Sequence, residues 1–422
     1  MKSSALSELA RRTEAPAIAW LMGQALARPK LISLAAGFTD NESLPVETTR
    51  LLLDEILGSR KAGQAALQYG SSAGDPALRQ LTARHLRKCD RHSGAEKNYS
   101  PDRMIISNGS QQLLYMTTEA LCNTGDITLV EDPTYFVYLS LLKSHGVGAR
   151  AVRMAQDGLD LAHFEEVLKS LKRSGELRRV KLIYLVSYYQ NPTTLTTSFE
   201  KKSAILKLLR QFERAAGHPI YLMEDAAYRE LRFHGRDEKS ALANGESERV
   251  IYLGTYSKPF ATGTRVGYGI LPGALFEAVL RIKGNHDFGT SNLLQQLISR
   301  ALSSGRYEKH LAKIKKRYAH KASVMSKSLR EHFPSEVQRD EPEGGLYFWA
   351  RLPRGMNAGM KSRLFESALK NDVLYVPGEI CYADDPSRKK PNHEMRISFG
   401  NATEKDIHEG VARLGRVLRR LI

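Results

Sequence analysis

The sequence predicts an α/β fold: a large domain on a mostly parallel sheet flanked by helices, with a smaller α+β domain beside it. Three observations carry this. Between about Ser43 and Ser304, short apolar runs rich in Ile, Val, Leu and Tyr alternate with helical patterns, the texture of strand–helix–strand crossovers. From about Gly305 the pattern becomes one long basic helix followed by strand-like runs and further helices. The chain has 422 residues, more than one core usually serves. The large domain is therefore assigned to residues 46–304, and the small one to 305–422 with the N-terminal segment 1–45.

The elements follow in order. Strands are predicted at Met104–Ser107, Ile127–Val130, Lys181–Val186, Ile220–Glu224, Val250–Leu253 and Val266–Ile270, each ending at turn or polar residues. Helical periodicity marks Gln111–Cys122, Leu161–Leu171 and Ser198–Ala216 between them. Beyond Gly305 the spacing predicts a helix over Tyr307–His332, strands over Leu346–Leu352, Val373–Val376 and Glu394–Phe399, and helices over Lys361–Asn371 and Glu404–Leu421. The segment up to Pro45 is expected to pack on the smaller domain, because a lone amphipathic helix of about 20 residues is marginal in water.

Composition narrows the function. Apolar residues are 42% and charged residues 26%, which excludes disordered, collagenous and coiled-coil classes. Lys and Arg number 63 against 46 Asp and Glu, a formal +17 that favours encounters with anions. No helix-turn-helix, RNP or zinc-finger pattern turns that charge into a nucleic-acid site, and the run Lys313–Arg317 reads as a solvated helix face. Cys89, Cys122 and Cys381 contain no CxxC pair, which excludes a disulfide framework and a cysteine-rich zinc site and fits a reducing cytosol. No apolar signal core follows Met1. The longest apolar stretch, Ala15–Ala27, is broken by Gly23 and Gln24 and is too short for a bilayer span. A soluble cytoplasmic protein with neither membrane nor nucleic-acid partner is expected.

The usual catalytic strings are absent: no HExxH, GxxxxGK[ST] or GxSxG, and no GxGxxG after a strand. No metal is expected. One constellation remains. Lys258 in Tyr256-Ser257-Lys258 stands just past the strand Val250–Leu253, where its amine could form an imine. Arg265 follows a glycine turn at Gly263 and suits a phosphate. Asn108-Gly109-Ser110-Gln111-Gln112 joins a strand to a helix, whose first N–H groups can bind an anion. Asp225 ends a strand, with Tyr228 three residues on, and an acid there faces the ligand crevice of an α/β sheet. Taken singly, Lys258 could be a surface lysine, Ser110 and Asp225 helix caps, and Asn191-Pro192-Thr193 a plain turn. Together they supply an amine, a phosphate cradle, an acid for a ring nitrogen and hydrogen bonds for a ring oxygen. That is the set a pyridoxal phosphate site needs.

With these motifs the sequence resembles the class I aminotransferases of fold type I, and within them the aminoadipate/kynurenine aminotransferase branch. Further matching strings are Leu34-Ala35-Ala36-Gly37, Leu67-Gln68-Tyr69, Glu131-Asp132-Pro133-Thr134-Tyr135, Gln190-Asn191-Pro192-Thr193, Glu343-Gly344-Gly345 and Met395-Arg396-Ile397-Ser398. They run in order from about Ala15 to Leu421. The resemblance implies transamination between an L-amino acid and a 2-oxo acid through a Lys258 aldimine. Asp225 would hold the pyridine nitrogen protonated, Asn191 and Tyr228 would bond the ring oxygen, and Tyr135 would stack on the ring. Ser110, the Gln111 backbone, Ser257 and Arg265 would hold the phosphate. Tyr69 would reach the phosphate of a neighbouring subunit, which implies a homodimer with shared sites. Arg396 would clamp the substrate carboxylate, and Gly37 would admit the substrate backbone.

Some strings depart from the family pattern. Ser187-Tyr188-Tyr189-Gln190-Asn191-Pro192-Thr193-Thr194 stands where the family usually has Pro-Ser-Phe-Gln-Asn-Pro-Thr-Gly, so Thr194 replaces a glycine. Members acting on acidic side chains often carry an Arg in an Ile-Arg-x-Leu string, whereas this chain has Ile18-Ala19-Trp20-Leu21. A buried distal carboxylate without a cation is costly, so a non-acidic side chain is expected. Two other outcomes share these residues. One is the same cofactor ending in β-elimination, decarboxylation or oxidation. The other is a ligand-sensing regulator, which would carry a DNA-binding domain ahead of this fold, where the sequence offers about 15 residues.

Overall fold

The computed structural model describes residues 5–422. A two-residue strand, β1 (Ile32–Ser33), precedes the main sheet. That sheet comprises β2 (Met104–Asn108), β3 (Ile127–Asp132), β4 (Gly148–Ala155), β5 (Gly158–Leu159), β6 (Val180–Val186), β7 (Tyr221–Asp225), β8 (Val250–Thr255) and β9 (Val266–Ile270), in the order β2-β9-β8-β7-β6-β3-β4-β5. Strands β8, β7, β6, β3 and β4 run parallel; β9 is antiparallel to both neighbours, and β5 is antiparallel to β4. Central strands covered on both faces need continuous apolar runs, and β6 and β8 are buried along nearly their whole length.

The six predicted strands of this sheet are all present. The sequence reading missed β4. Its residues, Gly148-Ala149-Arg150-Ala151-Val152-Arg153-Met154-Ala155, are small or basic, because a strand this close to the sheet edge is only partly covered.

A second sheet has the order β10-β11-β14-β13, all antiparallel: β10 (Gln338–Arg339), β11 (Tyr347–Arg351), β13 (Val376–Pro377) and β14 (Glu394–Ser398). The predicted strand Val373–Val376 is in fact two. β12 (Val373–Leu374) pairs with β1, and β13 pairs with β14, so the chain changes sheets at Tyr375. The long helix spans Arg306–His332 and buries Tyr307, His310, Ile314, Tyr318, Ala322, Met325 and Leu329 at helical spacing, leaving Lys313 and Lys316 exposed.

The N-terminal segment divides. Ile32 and Ser33 pair with β12, and Asp40 accepts from Lys321 Nζ (2.8 Å) on the long helix. Residues 8–14 lie instead against the helix Phe136–His145, where Arg12 Nε donates to Ser144 O (3.2 Å) and Lys143 pairs with Glu14 (2.7 Å). Among the described residues no helix is long and apolar enough to cross a membrane, and all three cysteines are free.

The turn after β6 is under backbone strain. Tyr189 has φ +44° and Thr194 φ +65°, where side chains are disfavoured, most of all β-branched ones. Left-handed geometry costs an L-residue about 1–2 kcal/mol. Glycine removes that strain at an entropic cost of roughly 0.5–1 kcal/mol. Thr194→Gly is therefore expected to raise the urea midpoint, by up to about 1 kcal/mol in stability. A lowered midpoint would mean that the bond from Thr194 Oγ1 to Thr193 O (2.5 Å) outweighs the strain.

Candidate active site

The site forms where the carboxyl ends of the parallel strands meet, the usual ligand crevice of such sheets. Asp225 is the last residue of β7. Lys258 follows β8 by three residues, Asn191 follows β6 by five, and Ser110 opens the helix after β2. Arg265 immediately precedes β9. Because β9 runs backwards, with Val266 opposite Asn108 and Gly267 opposite Thr255, its start lies at the same edge. The second sheet closes the cavity with Arg396 from β14 and Tyr347 from β11. Gly37 comes from the segment after β1. The cavity holds about 220 Å³. Of the residues singled out from sequence, Ser110, Gln111, Tyr135, Asn191, Asp225, Tyr228, Ser257, Lys258, Arg265, Arg396 and Gly37 all line it.

Tyr69 does not. Its side chain is 83% exposed, with its ring 5.9 Å from that of Phe288, itself exposed.

Lys258 Nζ donates to Gly37 O (2.7 Å). Burial, then the charges of Arg265 and Arg396, push its pKa down to about 8. Asp225 is buried. It accepts from the Tyr184 hydroxyl (2.8 Å) and from Ala227 N (3.1 Å). Burial pushes its pKa up to about 6, against the lowering effect of those two bonds. No cation is among its partners, so a protonated ring nitrogen would complete it.

At the other end, Gly109 rather than Ser110 caps the helix Ser110–Leu121, and no side chain caps its first turn. Gly109 has φ +74°, and a Cβ there would meet Arg265 Nη2 at 2.5 Å. A Cβ on Gly267 would meet Ser110 N at 2.4 Å. The backbone N–H groups, the Ser110 hydroxyl and the Arg265 guanidinium thus crowd one concave corner, a cradle for an anion. Arg265 Nη1 also donates to Ser257 Oγ (3.3 Å).

Arg396 is buried. It donates from Nη1 to Asn191 Oδ1 (2.6 Å) and from Nη2 to Ala35 O (2.7 Å), and its Nε has no partner. Two of five N–H groups are engaged, which leaves donors for a carboxylate. Asn191 is placed by its neighbour Gln190, whose Nε2 donates to Glu131 Oε2 (3.0 Å) and Pro133 O (2.8 Å), tying this turn to the one that carries Tyr135. Three cations and one carboxylate line the cavity, a balance that suits a phosphate and a carboxylate together. The residues present fit pyridoxal phosphate.

Other charged residues around Asp225 and Tyr228 are structural. Glu224 pairs with Lys202 (2.9 Å), both fully buried, and Arg229 pairs with Asp90. Glu230 accepts from the Tyr307 hydroxyl (2.7 Å) and pairs with His85 (2.8 Å). The sequence reading missed Tyr184 and Tyr347. Tyr184 had a signal: it lies two residues before the end of β6, beside β7 in parallel register. Tyr347 lies two residues after the matching string Glu343-Gly344-Gly345, but only the second sheet carries it to the cavity.

Comparison with known proteins agrees with this geometry. Residues 29–414 match the family model described as aminotransferase class I and II. The chain is 31% identical to the aromatic-amino-acid aminotransferase 1 of Thermococcus litoralis, over 92% of this chain and 88% of that one. It is 30% identical to the 2-aminoadipate transaminase of Thermus thermophilus, over 100% and 98%. The kynurenine aminotransferase structure from Pyrococcus horikoshii superposes with a TM-score of 0.89 at 30% identity, covering 99% of this chain and 98% of that one. The chain belongs to the class I and II aminotransferases and is a pyridoxal phosphate-dependent transaminase of amino acids.

Proposed function

We propose that the enzyme moves an amino group between an L-amino acid with an apolar or aromatic side chain and a 2-oxo acid. One observation carries the choice of side chain. Among the described residues lining the cavity, the only cations are Lys258, Arg265 and Arg396. Each has a task at the reacting end. Ile18 and Phe38 line the cavity and also an adjoining apolar recess with Leu21, Met22 and Ala35. A distal carboxylate there would be desolvated with no cation to meet it.

The site residues divide the work as follows. The cofactor supplies an aldehyde that condenses with amines and a pyridinium ring that accepts the electron pair released at Cα. Lys258 Nζ would hold the cofactor and, as a free amine, would carry the proton between the substrate Cα and the cofactor's former aldehyde carbon. Asp225 holds the positive charge of the ring nitrogen. With Asn191 Oδ1 engaged by Arg396, its Nδ2 remains to donate to the ring oxygen beside Tyr228. Tyr135 covers the ring face. Ser110, the Gln111 N–H, Ser257 and Arg265 hold the phosphate, and Arg396 forks onto the substrate carboxylate, a geometry lysine cannot copy. Gly37 gives its carbonyl to Lys258 and leaves room for the substrate backbone.

We also read the chain as a homodimer whose sites are shared, Tyr69 reaching the partner's phosphate. The exposed Leu67, Tyr69 and Phe288 support this. The large domain is taken as 46–304.

A panel of amino donors with a fixed 2-oxo acid tests the substrate class. Aromatic and apolar donors are expected to exceed glutamate and 2-aminoadipate in kcat/KM by at least about tenfold, with stoichiometric keto product. The reverse order would refute the side-chain assignment. Ammonia or peroxide in place of keto product would refute transfer.

A further inference from the structure

Tyr347 touches three parts of the site. It is buried at the start of β11. Its hydroxyl lies 2.9 Å from that of Tyr228, and the rings meet edge to face, 5.7 Å apart. Its ring lies under the Arg396 guanidinium, 4.1 Å from the centroid. A Cβ on Gly37 would strike its hydroxyl at 2.7 Å, so that glycine also makes room for this phenol.

We propose that Tyr347 is a positioning residue that acts through Tyr228: its hydroxyl donates to the Tyr228 oxygen, so that Tyr228 gives its own proton to the ring oxygen of the cofactor. This rests on the role assigned to Tyr228 above.

Each phenol has one proton and two lone pairs. Either hydroxyl can donate within the pair, and each has the other as its hydrogen-bond partner. When Tyr228 donates to a deprotonated ring oxygen, the bond between the phenols survives only if Tyr347 is the donor. A phenol that accepts a hydrogen bond while donating another is a stronger donor, because the chain polarises in one direction. The ring oxygen is then better stabilised in its deprotonated form, and the pKa read from the bound cofactor falls. The ring of Tyr347 meanwhile stacks on Arg396. Phenylalanine at 347 keeps that ring and removes only the donor.

The test is a pH titration of the absorption band of the bound cofactor in the holoenzyme, with no substrate present. Tyr347→Phe is expected to raise the midpoint by about 0.5–1 pH unit, while the affinity of a monocarboxylate substrate analogue changes less than about twofold. Tyr228→Phe should raise the midpoint further. The double variant should match Tyr228→Phe alone, since Tyr347 acts only through that phenol. Tyr347→3-fluorotyrosine, a more acidic donor, should lower the midpoint. An unmoved midpoint in Tyr347→Phe, additive shifts in the double variant, or a raised midpoint with fluorotyrosine would each overturn the proposal. If Tyr228→Phe itself leaves the midpoint in place, it is the role of Tyr228 that fails.

Discussion

Lys258→Ala is expected to abolish turnover while the protein stays folded. Among the described residues Lys258 supplies the only primary amine on the cavity wall. Loss of a general base alone costs about 10²–10⁴ in rate. The proposed covalent attachment of the cofactor would be lost with it, so turnover should fall at least roughly ten-thousand-fold. The fold should survive, because the amine borders a cavity and its charged form is disfavoured there. Steady-state rates beside a thermal melt decide the matter, and retained turnover in the variant would end the assignment.

The same lysine sets a pH dependence. Only the neutral amine is a nucleophile, and its pKa is pushed from 10.5 to about 8. Capture of cofactor by the cofactor-free enzyme should therefore quicken about tenfold per pH unit below that value and level off above it. An ordinary lysine would go on gaining for two further units.

Asp225→Ala has the second largest expected effect. The carboxylate is buried, bonded to the Tyr184 hydroxyl and Ala227 N, and lacks a cation of its own. A protonated ring nitrogen would supply that missing cation. Removing one member of a buried ion pair costs roughly 3–5 kcal/mol, about two to four decades of rate if spent on the transition state. Turnover should fall by that much and cofactor should be lost more readily on dialysis. A rate within tenfold of the parent would show that the ring nitrogen is held by something else.

The stability of the cofactor-free protein gives an independent check. The folded pKa lies above the unfolded value, so the carboxyl stabilises the fold fully only in acid. That contribution is lost as pH rises from about 4 through about 6. The melting advantage of the parent over Asp225→Ala should narrow across that interval.

Much of the site was legible because its residues stand at strand ends. A strand can be read from a local run of Val, Ile, Leu and Tyr, and in an α/β sheet its carboxyl end is where ligands bind. Lys258, Asp225, Asn191 and Ser110 were each ambiguous alone and became a site only in combination. Ser110 itself could be read as a cap or a ligand. The structure puts Gly109 in the cap position and Ser110 on the cavity wall. β4 was not legible, because a partly covered strand tolerates Gly, Ala and Arg and so loses its apolar signature.

The chain by itself determined the α/β class, the six main strands it predicted in the large sheet and the family to which it belongs. These depend on local periodicity and on short strings whose spacing is written in the sequence. Only the tertiary structure decided how distant segments meet. The reversed direction of β9 brings Arg265 to Gly109. The pairing of β11 with β14 sets Tyr347 under Arg396 and against Tyr228. The left-handed Tyr189 and Thr194 shape the turn that presents Asn191. The physical reason is that such contacts depend on sheet direction, on packing between segments far apart in the chain and on backbone strain held by that packing, none of which a local pattern encodes.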